Sequence, residues 1–254
     1  RDAAGRGLSV VLLEAGDLAC ATSSASSKLV HGGLRYLEHH EFGLVRKALK
    51  EREILLEMAP HIIWPLTFVL PHSAELRPVW MIKVGLWLYD HLAGRRRLEK
   101  SRAIGLRSHP YGEPLADRYT AGFTYADCWV EDSRLVVLNA MDAAEKGADI
   151  LTYTRCAAFS PEGWRWRIDL ESRSGEGKSV TARMVVNATG PWVSRTLQHV
   201  LQGPANTNIS PVRLVKGSHI VVRKAHTGPQ AYILQQPDRR IVFALPFNEN
   251  FTLI

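Results

Sequence analysis

The segment LSVVLLEAGD, residues 8–17, holds a β-branched and aliphatic run from Leu8 to Leu13 that is closed by Glu14. Such a run predicts a parallel strand buried on both faces, with one acid at its carboxyl end. Upstream, residues 2–7 are rich in Ala and Gly and predict the tail of a helix that stops at Gly5 or Gly7. A helix followed by such a strand is half of a nucleotide-binding unit. A dinucleotide fold normally carries G-x-G-x-x-G between its first strand and helix, with an acid about 20 residues later on the ribose hydroxyls. GRGLSV at 5–10 is not that loop, because it lacks the third glycine and precedes a strand. Glu14 nevertheless stands where the acid belongs, at the end of a second strand, which predicts that the sequence begins inside the first helix. The alternative is a solvated loop acid.

A second signal is MVVNATGPWV at 184–193, read as a buried strand ending in the small residues Ala188, Thr189 and Gly190, with Pro191 and Trp192 opening a helix. A third is TSSASSKLVHGGLRY at 22–36, where short hydroxyls and bare amides suit a diphosphate and an Arg-Tyr pair suits an anion. An ordinary Ser-rich loop has the same composition.

With 46% hydrophobic residues in a 254-residue chain, a sizeable core and two intertwined domains are expected, and the seven tryptophans argue against disorder. The net charge of +7 admits nucleic acid, anionic lipid or a small anion. Without a nucleic-acid signature, nucleic acid is not expected. Cys20, Cys128 and Cys156 are odd in number and widely spaced, so no disulfide framework, zinc site or other metal centre is expected, and a reducing compartment is the simplest reading. Helices are predicted over 42–58, ended by Pro60, over 79–92, and from Asp132 or Ser133 to about Lys146 with Gly147 as the stop. In the first, Arg52 is placed with Arg46, Lys47, Lys50 and Glu51 on the polar face. WPLTFVLPH at 64–72 reads as a short edge strand bounded by prolines. DILTYTR at 149–155 reads as a strand, and 164–190 as a hairpin with Trp164, Trp166, Ile168 and Leu170 alternating before a turn at 175–177. VKGSHIVV at 215–222 and the stretch 231–247 read as antiparallel strands, and no stretch is apolar for long enough to span a bilayer.

Four segments, residues 12–42, 127–136, 186–193 and 214–222, together resemble the aerobic, flavin-dependent glycerol-3-phosphate dehydrogenases, a branch of the amino-acid-oxidase-like flavoproteins. The resemblance implies an α/β fold: a Rossmann-like FAD-binding domain (1–60 and 126–200) interleaved with an antiparallel-sheet substrate domain (61–125 and 201–254). It also implies that the family's first strand, Gly-rich loop, later substrate arginines and carboxyl-terminal cap domain are missing, so that the activity of this chain alone is in doubt. FAD is the implied cofactor. Glu14 would hold the adenosine ribose, and Ala21, Thr22, Ser23, Ser24, Ser26, Ser27, Lys28 and Leu29 would line the pyrophosphate, ribityl chain and ring. Gly32 and Gly33 would let the chain pass the isoalloxazine, with Ala188, Thr189, Gly190 and Trp192 also beside the cofactor. Arg35 and Tyr36 belong to the substrate pocket, and His219 faces the substrate as a general base. On residues alone, the alternatives are a surface arginine and a core tyrosine for Arg35 and Tyr36, and a hydrogen-bonded strand histidine for His219.

The implied reaction is oxidation of sn-glycerol 3-phosphate to dihydroxyacetone phosphate with electrons passed to a quinone. The implied setting is cytoplasmic, at the inner face of the cytoplasmic membrane, with a homodimer as a further option. Val79, Trp80, Ile82, Val84, Leu86, Trp87 and Leu88 beside Arg95, Arg96, Arg97, Lys100 and Arg102 suit a helix lying on anionic lipid, or else a core helix followed by a solvated basic loop. The rivals are an amine or amino-acid oxidase of the same superfamily, for glycine or sarcosine, and a non-catalytic truncated remnant or membrane-binding module.

Overall fold

A computed structural model describes residues 1–73, 75–92, 94, 97–201, 212–236, 238 and 240–254. The elements in chain order begin with α1 (Asp2–Gly5), β1 (Val11–Leu13), β2 (Leu29–Val30), α2 (Phe42–Met58), β3 (Ile63–His72) and α3 (Val79–Leu92). They continue with β4 (Arg102–Gly105), β5 (Ala121–Val130), α4 (Asp132–Glu145), β6 (Asp149–Leu151), β7 (Thr154–Glu162), β8 (Arg165–Ser172) and β9 (Gly177–Ala182). The last are α5 (Val193–His199), β10 (Val221–Arg223), β11 (Ala231–Gln235), β12 (Ile241–Phe247) and β13 (Phe251–Leu253). The α/β class expected from the sequence holds. The chain forms two compact units, residues 1–24 with 133–217 and residues 25–132 with 218–254. These boundaries differ from the functional domains expected from the family resemblance, because α2 buries Val45 and Leu49 in the same core as Phe68 and Tyr125.

In the first unit β1 pairs with β6 in parallel, Val11 opposite Asp149 and Leu13 opposite Leu151. α1 and α4 cover this pair with Ala4 and Ala143, which are buried with Ala148, just after α4, against Val10 and Ile150. α4 stops where Gly147 takes φ +85°, a conformation open to glycine. The run at 8–13 is not buried on both faces: Val11 and Leu12 are exposed, because β6 is the one partner of β1 among the described residues. The expected buried strand at 184–188 is irregular, with Met184 and Val186 both 76% exposed. An apolar run becomes a strand only where a ladder partner takes its backbone groups, and none is paired there among the described residues. β7, β8 and β9 form an antiparallel sheet over Phe159, Ile168 and Leu170, with the turn near 175–177 as expected. Trp164 leaves the predicted alternation: it sits in the β7–β8 turn, exposed, with the Arg165 guanidinium 4.1 Å from its ring centroid.

The second unit is built on an eight-stranded sheet in the order β10-β13-β12-β11-β3-β5-β2, with β4 also paired to β5. β3 is central and not an edge strand. It runs antiparallel to β5 from Ile63 opposite Val130 to His72 opposite Ala121, and parallel to β11 at Phe68 and Val69. Its prolines are tolerated because Pro65 and Pro71 lie outside the two positions that β11 covers. Alternation along β3 sends Leu66, Phe68 and Leu70 to the helix-covered face and Val69 to the other, where Leu106 and Tyr232 bury it. Phe68 stacks on Tyr125 with centroids 5.3 Å apart, and Tyr89 meets Tyr125 edge-on at 5.8 Å. Each such pair adds about 0.5–1.5 kcal/mol beyond its area.

α2 presents Val45, Leu49, Arg52 and Leu56 to the core, spacings of four, three and four that form one helical stripe. Arg52 therefore faces inward, at 1% exposure, and not toward solvent with its charged neighbours. The predicted strand at 215–222 is shorter than expected and begins at Val221, with Ile220 joined to Ile254 by a reciprocal pair of backbone hydrogen bonds.

Candidate functional site

In the first unit Glu14 follows directly on the carboxyl end of β1, as the sequence placed it. Its Oε1 accepts a hydrogen bond from the Gly16 N–H at 2.9 Å, and its own N–H bonds to Leu151 O. Residues 22–24 form a 3-10 turn with Ala21, Thr22 and Ser24 exposed, and Ser24 Oγ bonds back to Ala21 O at 2.8 Å. Ser133 Oγ donates to Ser23 O at 3.1 Å, tying the turn to the start of α4. Ala188 and Thr189 are exposed, Gly190 takes φ +53° with open space where a Cβ would stand, and Trp192 ends the 3-10 turn 190–192 half-exposed. Asn187 organises this segment: its Oδ1 accepts from Thr189 Oγ1 at 2.7 Å and its Nδ2 donates to Val193 O at 3.0 Å. These residues fit an FAD chemically. They pair a carboxylate at a parallel strand end with small, exposed, backbone-rich turns that admit a flat, phosphate-bearing group.

In the second unit the 26–36 segment runs along β5. Lys28 takes φ +58°; its Nζ bonds Asp132 Oδ1 at 2.8 Å, Ser26 Oγ bonds Asp132 Oδ2, and the Lys28 N–H bonds Ser26 Oγ at 3.1 Å. Asp132, read from the sequence only as a helix cap, is thus the anchor of this turn. Leu29 and Val30 then pair with Trp129 and Cys128. Burial pushes the Cys128 thiol up to about 12, which keeps it an inert part of the strand.

Ser27 Oγ and His219 Nε2 lie 2.9 Å apart, a bond between residues 192 positions apart in sequence. His219 stands just before β10, on the rim of a recess of about 260 Å³ walled by Ile220, Ile241, Phe243 and Ile254. Arg35 and Tyr36 are exposed on the 3-10 segment Leu34–His39. Among the described residues the Arg35 guanidinium has no carboxylate partner, and neither Arg35 nor Tyr36 is hydrogen-bonded to His219.

Gly32 and Gly33 are buried, and each has a reason inside the fold. A Cβ on Gly32 would stand 2.4 Å from Leu49 Cδ2 and 2.7 Å from the Tyr89 hydroxyl. Gly33 takes φ +70°, and a Cβ there would meet the Tyr36 ring at 2.4 Å. Sequence reasoning missed the residues behind them. The Gly32 N–H donates to Tyr89 Oη at 2.7 Å, Tyr89 Oη donates to Asp127, and Arg52 Nη1 donates to Asp127 Oδ1 at 2.7 Å. The legible signal was an acid, Asp127, inside an otherwise apolar strand. Of the expected basic cluster, Arg95 and Arg96 lie outside the described residues, and Arg97 pairs with Glu57 at 2.9 Å.

The family model for FAD dependent oxidoreductases matches residues 1–254. The chain is 54% identical over 255 residues to a D-erythritol 1-phosphate dehydrogenase of Brucella abortus, covering all of this chain and 50% of that protein. It is 54% identical over 253 residues to a glycerol-3-phosphate dehydrogenase of Pseudomonas aeruginosa, covering all of this chain and 48% of that protein. The chain thus spans about half the length of these curated relatives. The structure of a glycerol-3-phosphate dehydrogenase from Bacillus halodurans, solved with FAD, superimposes with a TM-score of 0.69 at 24% identity, over 99% of this chain and 43% of that one, and so shares its fold.

Proposed function

The chain belongs to the FAD dependent oxidoreductase family, and from that membership we propose that its protein oxidises a phosphorylated polyol, sn-glycerol 3-phosphate, to dihydroxyacetone phosphate. The observation that carries this reading is the Ser27–His219 hydrogen bond at the edge of a recess. In the proposal Ser27 accepts from His219 Nε2–H, so that Nδ1 is left to take the proton of the C2 hydroxyl. Arg35 supplies a guanidinium with no carboxylate partner among the described residues, and Tyr36 a phenol, for the phosphate. Glu14, the 21–24 turn and residues 188–192 are the residues of the first unit that would hold FAD. FAD, when bound, supplies the acceptor for the C2 hydrogen and the route of the electrons to a quinone.

The relatives name two phosphorylated polyols, so the substrate class is tested by comparing turnover. Full-length protein is assayed with glycerol 3-phosphate, erythritol 1-phosphate, glycine and sarcosine, with a quinone analogue as acceptor. The phosphate esters are expected to win by about 10⁴-fold in kcat/KM over the amino acids, because a site built for polar partners discriminates strongly against ligands that leave them unpaired. Preference for glycine or sarcosine would overturn the reading.

We also propose that α3 lies on anionic lipid. No helix among the described residues is long and apolar enough to cross a membrane. α3 turns Leu86 and Tyr89 inward, while Trp80, Val84 and Trp87, at spacings of four and three, form an exposed apolar stripe. Trp87 is stacked on His91 at 4.4 Å, and Lys100 and Arg102 follow the helix. Replacing Trp80 and Trp87 together with Ala is expected to weaken binding to phosphatidylglycerol vesicles by about tenfold or more, since each removes a large apolar side chain from the contact. Unchanged binding would contradict the patch.

A further inference from the structure

Behind the turn that carries Arg35 and Tyr36 lies a charged chain of contacts inside the core. Arg52, Tyr89 and Asp127 are each no more than 2% exposed. Arg52 Nη1 donates to Asp127 Oδ1 at 2.7 Å and to Ala126 O at 3.1 Å, and Nη2 donates to Glu53 Oε1 at 2.7 Å. The Tyr89 hydroxyl donates to the Asp127 carboxylate, 2.8 and 2.9 Å from its two oxygens, and accepts the Gly32 N–H at 2.7 Å. Burial and the neighbouring Asp127 hold the Tyr89 proton on well above the usual phenol range, so this residue stays a donor at any working pH. A well-packed apolar trio would stabilise such a core at least as well as buried ions do. What the polar chain adds is direction, and it ends on one backbone amide.

That amide fixes the path of the backbone into the Arg35–Tyr36 turn. With the Gly32 N–H drawn inward, Gly33 enters the left-handed region at φ 70° and ψ 63°. Its carbonyl then accepts the Tyr36 N–H at 2.8 Å and opens the 3-10 segment that presents Arg35 and Tyr36. We propose that Arg52, Asp127 and Tyr89 form a positioning relay for the phosphate grip, holding the Gly32 peptide so that Arg35 and Tyr36 are preset for an anion. The relay deepens the proposed oxidation of a phosphorylated polyol and rests on it for the identity of the anion. None of the three touches substrate; they act through Gly32.

The test is Tyr89→Phe in the full-length protein, which removes one oxygen and keeps the ring against Tyr125. Three readouts are compared with the unaltered protein: hydrogen exchange of the amides at 32–36, affinity for inorganic phosphate, and KM against kcat for glycerol 3-phosphate. Loss of the relay lowers the fraction of molecules with the turn preset, and apparent affinity falls by that fraction. Exchange at Gly32 is expected to speed up, phosphate affinity to fall about tenfold and KM to rise about tenfold, with kcat within about twofold. Asp127→Asn keeps an acceptor for the Tyr89 hydroxyl, so its loss of phosphate affinity should be smaller than that of Tyr89→Phe. Unchanged phosphate affinity and KM in Tyr89→Phe, with or without faster exchange, would overturn the relay and leave a purely structural network. Phosphate binding without oxidation of any phosphorylated polyol would sink the function reading alone, and the effect of Tyr89→Phe on phosphate affinity would still decide the relay.

Discussion

Replacing Asp127 by Ala is expected to lower the unfolding free energy by about 3 kcal/mol, because it strands a buried guanidinium and removes the acceptor of a buried hydroxyl. Broken buried pairs typically cost about 3–5 kcal/mol. The lower end applies here because Arg52 keeps its bonds to Glu53 and to Ala126 O. Arg52 Nε already lacks a partner among the described residues, so the altered core has little polar capacity in reserve. Urea unfolding of the two proteins measures the difference. Exchanging both partners at once, Arg52→Met with Asp127→Leu, should recover part of the loss, since no buried guanidinium is then stranded, while Glu53 still loses its cation and Tyr89 its acceptor. A loss below about 1 kcal/mol for Asp127→Ala would mean that the ion pair is more solvated than its 2% exposure implies.

The second large effect concerns His219. Replacing it with Ala is expected to lower kcat for glycerol 3-phosphate by about 10²–10⁴-fold, the contribution of a well-placed general base, while the visible flavin spectrum of the full-length protein is kept. His219 is exposed beside a recess and bonded to Ser27, so its loss leaves no buried cavity and the fold should survive. Steady-state rates at saturating substrate read the effect. A decrease smaller than about tenfold would assign the proton transfer to another group, and the Ser27–His219 bond would then only tie the 26–29 turn to the approach of β10.

The helices were largely legible in the amino-acid sequence because their signals are local. The apolar period of α2, Pro60 beyond its end, and Gly147 after α4 each act within one turn of the boundary they set. The strands were less so, because a strand is defined by a neighbour. The prolines of β3 suggested an edge, yet β11 covers only Phe68 and Val69 and leaves both prolines outside. The apolar run at 184–188 suggested a buried strand and found no ladder among the described residues. The charge of Arg52 suggests the solvated face, although its spacing from Val45 and Leu49 puts it on the buried stripe. Its partner Asp127 sits 75 residues away, and no local pattern joins the two. The same holds for Ser27 and His219, which only the family resemblance drew toward one chemistry. The residues behind the site, Tyr89 and Asp127, escaped notice because their role is to hold backbone, which leaves no motif of its own.

The proposed function gives this chain a polyol-phosphate site, with His219 as base and Arg35 and Tyr36 as the phosphate grip. Anaerobic addition of sn-glycerol 3-phosphate to the flavin-loaded full-length protein, followed by visible absorbance, tests it most directly. Rapid bleaching of the flavin band by the phosphorylated polyol is expected, slowed by orders of magnitude in the His219→Ala protein. A flavin band that stays unbleached with glycerol 3-phosphate and with erythritol 1-phosphate, yet bleaches with glycine or sarcosine, would contradict it.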